Sequence, residues 1–265
     1  MKIVVCVKQV ASLDEEFELL EGDGGVDPDF IEWDLNEWDT FSLEAALQLH
    51  EGDGAGGGEV VAVTVGDEEA EEGLLACLAR GADRAVRIWD EALEAADVLA
   101  VARVLAAAVE RESPDLVLCG VQSSDAVTGS TGTALAGYLD LAHVAVVTEL
   151  SYDAGGSTLT VDRELEGGLV EVVRIGLPAL LTIQTGINEP RYATLRAIKQ
   201  ARDKPLANYG LGDLGLDASD LAAAAGARVV GLQTPERGAG AQLLEGSPSE
   251  MADRIVELVQ ERMSG

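Results

Sequence analysis

The chain has 265 residues, of which 47% are hydrophobic, so it can bury the core of one α/β domain and still supply an arm. Its 48 acidic and 18 basic residues give a net charge of −30, which excludes binding to nucleic acids and anionic membranes, because both need clustered Lys and Arg. This charge, with few lysines and many Ala, Gly and Asp residues, indicates a halophilic protein whose self-repulsion is screened by salt; a surface for basic partners is the other interpretation.

The chain shows neither a secretory leader pattern nor an apolar run long enough to span a bilayer. We therefore expect a soluble, cytoplasmic protein without membrane insertion. Cys6, Cys77 and Cys119 lie in apolar surroundings without metal-ligand spacing, so we predict buried structural thiols and no metal site. The two histidines, His50 and His143, have no partner at a catalytic spacing and are interpreted as structural.

Apolar runs alternate with amphipathic segments in the first half of the chain. The predicted strands are 2–7, 59–65, 84–88 and 116–119, and the predicted helices are 36–49, 68–80, 95–111 and 131–140. The polar stretch 9–34 predicts a small hairpin with a mobile tip at 21–25. Strands and helices at this spacing predict a doubly wound, parallel α/β sheet.

The second half of the chain has a different pattern. Further strands are predicted at 145–150, 158–163, 169–175 and 180–184, without helices between them and with Gly-Gly pairs as hairpin signals. They predict an antiparallel portion after the parallel one. Residues 203–246 lack strong periodicity, and 248–263 form an amphipathic helix that packs on its own domain or reaches a partner. We expect a nucleotide-binding domain at 1–205 and a C-terminal arm and helix at 206–265.

A loop rich in Gly, Ser and Thr, residues 120–132, follows the fourth predicted strand and leads into a helix. In open α/β sheets ligands bind at the carboxyl ends of the strands, and the N–H groups of a helix start, with glycines and hydroxyls, can hold a phosphate. The loop has neither the Gly-Lys-Ser/Thr of a P-loop nor the glycine spacing of a dinucleotide fingerprint. It predicts phosphate binding without phosphoryl transfer; the alternative is a helix-capping turn.

The stretch 188–204, NEPRYATLRAIKQARDK, is basic in an acidic chain and holds two of its four lysines. Pro190 fixes its own φ and favours an extended residue before it, so the first four residues predict a turn. A helix is predicted over 193–202, with Leu195, Ile198 and Ala201 as its apolar side, which is too narrow for a core helix. The stretch is either a device for docking a partner or an ordinary surface turn and helix.

Three motifs carry a resemblance to a known family: NEPRYATL at 188–195, LPALLT at 177–182 and VDRELEGG at 161–168. With the N-terminal IVVCVKQV, GADR at 81–84 and the loop around Asp125, they resemble the beta subunit of electron-transfer flavoproteins over residues 1–215. The chain is identified as a haloarchaeal-like member. The resemblance implies a fold like that of the adenine nucleotide alpha hydrolases and a carrier of electrons that is not itself an enzyme.

The resemblance also implies that the chain holds a structural AMP at the strand ends. The matching positions are Cys6, Asn36, Glu37, Trp38, Asp39, Val65, Gly66, Gln122, Asp125, Thr128, Gly129, Ser130, Thr131 and Gly132. A bifurcating branch of the family binds a second FAD there and carries Asp-Gly-Asp-Thr and Val-Gly-Pro in this loop. The present loop reads Asp-Ala-Val-Thr at 125–128 and keeps the Thr-Gly of the AMP branch.

The redox FAD of the family is bound mainly by the alpha subunit, and the beta subunit contributes edge contacts. Leu13 and Trp38 occupy the matching positions, and Trp38 either stacks on the flavin or packs locally at the helix start. Arg163 and Glu164 resemble subunit-interface residues. Leu195 matches the leucine that anchors partner dehydrogenases, in a recognition segment that also includes Asn188, Glu189, Pro190, Arg191 and Tyr192.

These implications predict the small subunit of a heterodimer that carries electrons from flavin dehydrogenases, such as the acyl-CoA dehydrogenases of fatty acid oxidation, to a membrane quinone oxidoreductase. Three alternatives stay open. They are an adenine-nucleotide hydrolase or ATP-binding stress-type protein of the same fold, a bifurcating flavoprotein with two FADs, and a non-redox interaction protein.

Overall fold

The computed structural model describes all residues except 14–19, 21–25, 28–29, 53–57, 95, 154, 156, 232–239, 242 and 264–265. The strands are β1 (Lys2–Cys6), β2 (Gln9–Leu13), β3 (Ile31–Leu35), β4 (Glu59–Val65), β5 (Arg84–Ile88), β6 (Leu116–Gly120), β7 (Ala142–Asp153), β8 (Thr158–Leu165), β9 (Leu169–Gly176), β10 (Ala179–Ile183) and β11 (Leu206–Tyr209). The helices are α1 (Glu37–Gly52), α2 (Glu71–Arg80), α3 (Val98–Glu112), α4 (Thr131–Leu139), α5 (Leu195–Ala201), α6 (Ala218–Ala224) and α7 (Pro248–Met263).

Nine strands form one sheet in the order β11-β5-β4-β1-β6-β10-β7-β8-β9. The strands from β11 to β7 are parallel to one another. From the neighbouring strands β1 and β6, later strands are added outward in opposite directions. This topology confirms the predicted doubly wound α/β fold. A separate pair, β2 and β3, forms the predicted hairpin, whose expected tip at 21–25 lies outside the described residues.

The core lies on both faces of the sheet, because alternate side chains of a strand point to opposite sides. Ile3 and Val5 of β1 belong to the apolar cluster that includes Leu43 of α1. Val4 of the same strand belongs to the opposite cluster, with Val104 of α3. Helices therefore cover both faces, which explains why the parallel strands are continuous apolar runs.

The position of β10 corrects the sequence interpretation. Residues 180–184 were expected in the antiparallel portion, but β10 runs parallel between β6 and β7, with Leu181 opposite both Leu118 and Val144. The antiparallel part of the nine-stranded sheet is limited to β7, β8 and β9. All five residues of β10 are buried, as in a strand covered on both faces, and the lack of a helix before it hid this assignment.

Several element boundaries also differ from the expected ones. The third helix begins at Val98 because the Asp97 carboxylate accepts a hydrogen bond from the Ala100 N–H at 2.9 Å and caps it. The helix after the NEPRYATL motif covers only α5, because Thr194 caps it in the same way. β11 and α6 lie in the stretch without strong periodicity, since elements of four and seven residues are too short to show a period.

The described chain separates into two compact units. The larger contains β1 to β11 and α1 to α6 and extends to Val230, and the smaller contains α7. The division at 205/206 stays a prediction. Within the smaller unit, α7 exposes an apolar side formed by Ile255, Val256, Val259 and Met263. No helix in the described ranges combines the length and apolar character needed to cross a membrane.

The central position of β10 can be tested by truncation. Leu181→Ala should lower the free energy of unfolding by about 2–5 kcal/mol, because it leaves a cavity in a fully buried part of the sheet. Val172→Ala on the edge strand β9, where the side chain is 67% exposed, should change it by less than about 1 kcal/mol. Denaturant titration measures both, and equal effects would contradict the assignment.

Candidate functional site

The strand order defines a crevice at one edge of the sheet. β1 and β6 are neighbours, and the chain winds outward from them in opposite directions. At such a switch point the connections after the two strands diverge and leave a cleft at their carboxyl ends, where ligands bind in open α/β sheets. β1 ends at Cys6 and β6 at Gly120, so the crevice coincides with the Gly/Ser/Thr loop.

Two buried side chains at the start of α1 form one wall of this crevice. Asn36 is 1% exposed; its Nδ2 donates to the carbonyl oxygen of Gln122 at 2.9 Å, and its Oδ1 accepts from the Ser124 N–H at 3.2 Å. The Asp39 carboxylate accepts from the N–H of Lys8 at 2.8 Å and from the N–H of Gly120 at 3.0 Å. The first turn of α1 thus holds together the segments that follow β1 and β6.

Lys8 is a member of the crevice that sequence reasoning missed. Its Nζ lies 2.7 and 2.6 Å from the two carboxylate oxygens of Asp125 and 3.4 Å from Ser123 Oγ. Burial opposes ionisation of Asp125, but hydrogen bonds from Lys8 and Ser123 outweigh it and hold the pKa of this carboxyl below its usual range. The sequence does contain a signal for this residue, because Lys8 is one of only four lysines and directly follows the first predicted strand.

Two glycines permit the close packing of the crevice. A Cβ on Gly120 would lie 2.4 Å from Asp39 Oδ1 and 2.6 Å from Trp38 Cβ. A Cβ on Gly132, in the first turn of α4, would lie 2.6 Å from Thr182 Cγ2. Neither contact leaves room for a side chain, so glycine is required for the approach of α1 and α4 to the strand ends.

The other sequence-predicted AMP positions fall at the same edge of the sheet. Cys6 ends β1 beside its register partner Cys119, and Val65 ends β4 immediately before Gly66. The remaining positions are Glu37 at the start of α1 and Thr128, Gly129, Ser130 and Thr131, which lead into α4. The fold therefore brings these segments to the carboxyl ends of the parallel strands, although they are far apart in sequence.

The two predicted flavin-contact residues lie in different elements, Trp38 in α1 and Leu13 in β2. Trp38 is partly buried, and its Nε1 donates to Gln184 Oε1 at 3.0 Å, an oxygen that also accepts from the N–H of Thr185 at 3.1 Å. This hydrogen bond fixes the indole beside the end of β10. Leu13 is the last residue of β2, opposite Ile31, at the end of the hairpin away from α1.

The recognition segment is fastened to α1 at its beginning. Asn188 Nδ2 donates to the carbonyl oxygen of Phe41 at 3.0 Å. The Arg191 guanidinium donates to both carboxylate oxygens of Glu44, at 2.7 and 3.0 Å, and to both of Glu51, at 2.6 and 3.0 Å. Burial opposes ionisation of Glu44, which is 5% exposed, but its hydrogen bonds from Arg191 outweigh this and lower its pKa.

Beyond Arg191 the segment exposes large apolar side chains, since Tyr192 is 95% and Leu195 82% exposed. Before Arg191, Glu189 is exposed and Pro190 is half-buried. At the far end, Lys204 Nζ donates to the carbonyl oxygens of Leu78 at 2.9 Å and Ala82 at 2.6 Å, at the carboxyl end of α2. The segment is therefore attached at both ends and mostly exposed between them.

The three cysteines are buried free thiols, as the sequence predicted. In the part of the chain that the structure describes, no group of three or more His, Cys, Asp or Glu side chains has an arrangement suited to a metal ion.

The electrostatics of Asp39 give a testable pH dependence. Burial raises the pKa of Asp39 to about 7, although the N–H donors of Lys8 and Gly120 act in the opposite direction. The folded state thus holds the proton more tightly than the unfolded chain, so this group's stabilisation is present at acid pH and is lost as the pH rises from about 4 through about 7.

Asp39→Asn should remove this fall in stability, which is measured between about pH 5 and about pH 7. It should also cost about 1–3 kcal/mol, because the amide nitrogen leaves one backbone N–H without an acceptor. Asp125→Asn is the control, since the Asp125 pKa lies below this window. Denaturation at several pH values measures the slopes, and an unchanged slope in Asp39→Asn would refute the assignment.

Comparison with known proteins adds the family to this geometry. A family model described as an electron transfer flavoprotein domain matches residues 26–213. The chain is 49% identical over 262 residues to the electron transfer flavoprotein subunit beta of Methylophilus methylotrophus, with 98% of each chain covered. It is 34% identical over 261 residues to that of Bacillus subtilis, again with 98% of each covered. The human subunit is 36% identical over 219 residues, 82% of this chain and 84% of the human one. The chain therefore belongs to the electron transfer flavoprotein beta subunits, a family of electron-transfer proteins.

Proposed function

We propose that this chain is the small subunit of a heterodimeric electron transfer flavoprotein that carries electrons from flavin dehydrogenases, such as acyl-CoA dehydrogenases, to a quinone oxidoreductase. The observation that carries the proposal is the likeness to the Methylophilus subunit across 98% of both chains. In this function the chain makes and breaks no covalent bonds. It holds AMP, helps an alpha subunit to hold FAD, and presents Leu195 to partners in a high-salt cytoplasm.

The crevice at the switch point suits the phosphate of AMP. α4 begins after Ser130, whose side chain makes no capping hydrogen bond, so the first N–H groups of this helix have no side-chain cap. Such groups favour an anion. Lys8 offsets the negative charge of Asp125 in the loop, which lowers the repulsion that an anion would meet there. The absence of a P-loop lysine argues for binding rather than phosphoryl transfer.

The surface supports a partner subunit. Leu169, Val170 and Val172 of β9 are exposed. Among the described residues β9 is the outermost strand of the sheet, so its outer edge offers backbone groups without a strand partner there, beside apolar side chains. α7, in its own unit, also exposes an apolar side. An alpha subunit that covers such surfaces would remove them from water. Trp38, held by Gln184, is the aromatic side chain available to the flavin edge.

The ligand content of the purified complex tests this function against its alternatives. The chain should be purified with its alpha subunit in high salt and denatured, and the released nucleotides quantified by chromatography. We expect one FAD and one AMP per heterodimer, because the loop at 125–132 lacks the bifurcating pattern and keeps the Thr-Gly of the AMP branch. Two FADs without AMP would identify a bifurcating flavoprotein, and ATP turnover would identify a nucleotide hydrolase. A chain without nucleotide or partner would contradict the proposal.

The docking role of Leu195 predicts a kinetic effect. Leu195→Ala should raise the apparent KM for the dehydrogenase about tenfold, as for a central interface residue, and leave the FAD content unchanged. The matched control is Leu243→Ala, because that leucine is 88% exposed outside the segment and should leave the KM as it is. Steady-state electron transfer from an acyl-CoA dehydrogenase provides the measurement, and unaltered kinetics in Leu195→Ala would exclude docking through this side chain.

A further inference from the structure

Helix α1 contacts both functional regions of the larger unit. Its first turn, with Asn36 just before it and Asp39 within it, binds the segments that form the crevice. Further along, Glu44 and Glu51 bind Arg191. We propose that α1 couples the two regions, so that a nucleotide in the crevice steadies the recognition segment for docking; this inference rests on the function proposed above.

The link between α1 and the segment involves both the main chain and the side chain of Arg191. Glu44 accepts from the backbone N–H of Arg191 at 3.2 Å as well as from its guanidinium, so both the main chain and the side chain of Arg191 follow the helix. Gln48 Nε2 donates to Glu44 Oε1 at 3.0 Å and holds the carboxylate in place. A bidentate pair between a guanidinium and a carboxylate is both strong and directional.

The other attachment of the segment does not involve α1. Lys204 binds carbonyl oxygens at the carboxyl end of α2, and Ala201 is the buried residue of α5. Between Arg191 and Ala201 the segment is mostly exposed, with Leu195 at the start of α5. Asn188 also binds α1, but Arg191 is the attachment nearer to Leu195 in the chain. A change in the order of α1 therefore reaches Leu195 through Arg191, whereas the Lys204 attachment stays unchanged.

A nucleotide would act on α1 through groups that already hold its first turn. Asn36 and Asp39 are bound to the backbone at Lys8, Gly120, Gln122 and Ser124, all of which border the crevice. A ligand that contacts these segments limits the motion of the turn, and a helix of 16 residues carries this restraint along its length. By linkage, docking at Leu195 would strengthen nucleotide binding by the same factor.

Hydrogen exchange followed by mass spectrometry tests the coupling on the full chain in high-salt buffer, with AMP as the probe. Titration calorimetry first establishes AMP binding. At saturating AMP we expect amide exchange in 188–204 to slow about fivefold, the lower end of the usual range for coupled sites. AMP binding without slower exchange in this segment would overturn the inference and leave the proposed function standing. Failure to bind AMP would overturn the nucleotide part of that function and this inference with it.

Two variants distinguish coupling through α1 from a slowing of amide exchange throughout the protein. In Arg191→Gln/Glu44→Gln, which avoids an unpaired buried charge, AMP should still bind but no longer slow exchange in the segment. In Lys204→Gln, the matched control, basal exchange should be faster but the slowing by AMP should persist. If the double variant does not fold, Arg191→Lys replaces it and should show a reduced response. A full AMP response in the double variant, or in Arg191→Lys where it takes its place, would refute the role of this ion pair.

Discussion

The arrangement of this protein depends on one buried carboxylate. Asp39 accepts hydrogen bonds from the backbone of Lys8, after β1, and of Gly120, at the end of β6. These are the two strands at which the winding of the sheet reverses, so the bonds fix the position of α1 over the switch point. Glycine at 120 is the condition for this contact, because a Cβ there would collide with the Asp39 carboxylate.

Four cations of this acidic chain bind carboxylates from other segments. Arg84 and Lys2 both bind Glu59 and Glu112, Lys8 binds Asp125, and Arg191 binds Glu44 and Glu51. The side chains of Glu112 and Glu44 are almost inaccessible to solvent. Salt screens exposed charges much more than buried ones, so these pairs keep their strength under conditions that suppress the repulsion between surface carboxylates.

The recognition segment combines firm attachment with exposure. Its first residues are bound to α1 and its last lysine to α2, and both attachments use charged groups against buried or backbone acceptors. Between them, a short helix presents Leu195 and Ile198 to solvent. Leu195 therefore stays at the surface although the segment is bound at both ends, because the attachments lie at Asn188, Arg191 and Lys204.

The sequence by itself determined most of the longer local elements and the family. Periodicity located β4 and β5 to the residue, the glycine pairs marked the turns around β8, and NEPRYATL identified the beta subunits of electron transfer flavoproteins. Only the tertiary structure decided which strands are neighbours and which side chains meet. A continuous apolar run such as that of β10 records burial on both faces but not its place in the sheet. The approach of Lys8 to Asp125, and of Arg191 to Glu44, joins residues more than a hundred positions apart, and no local pattern encodes such a pairing.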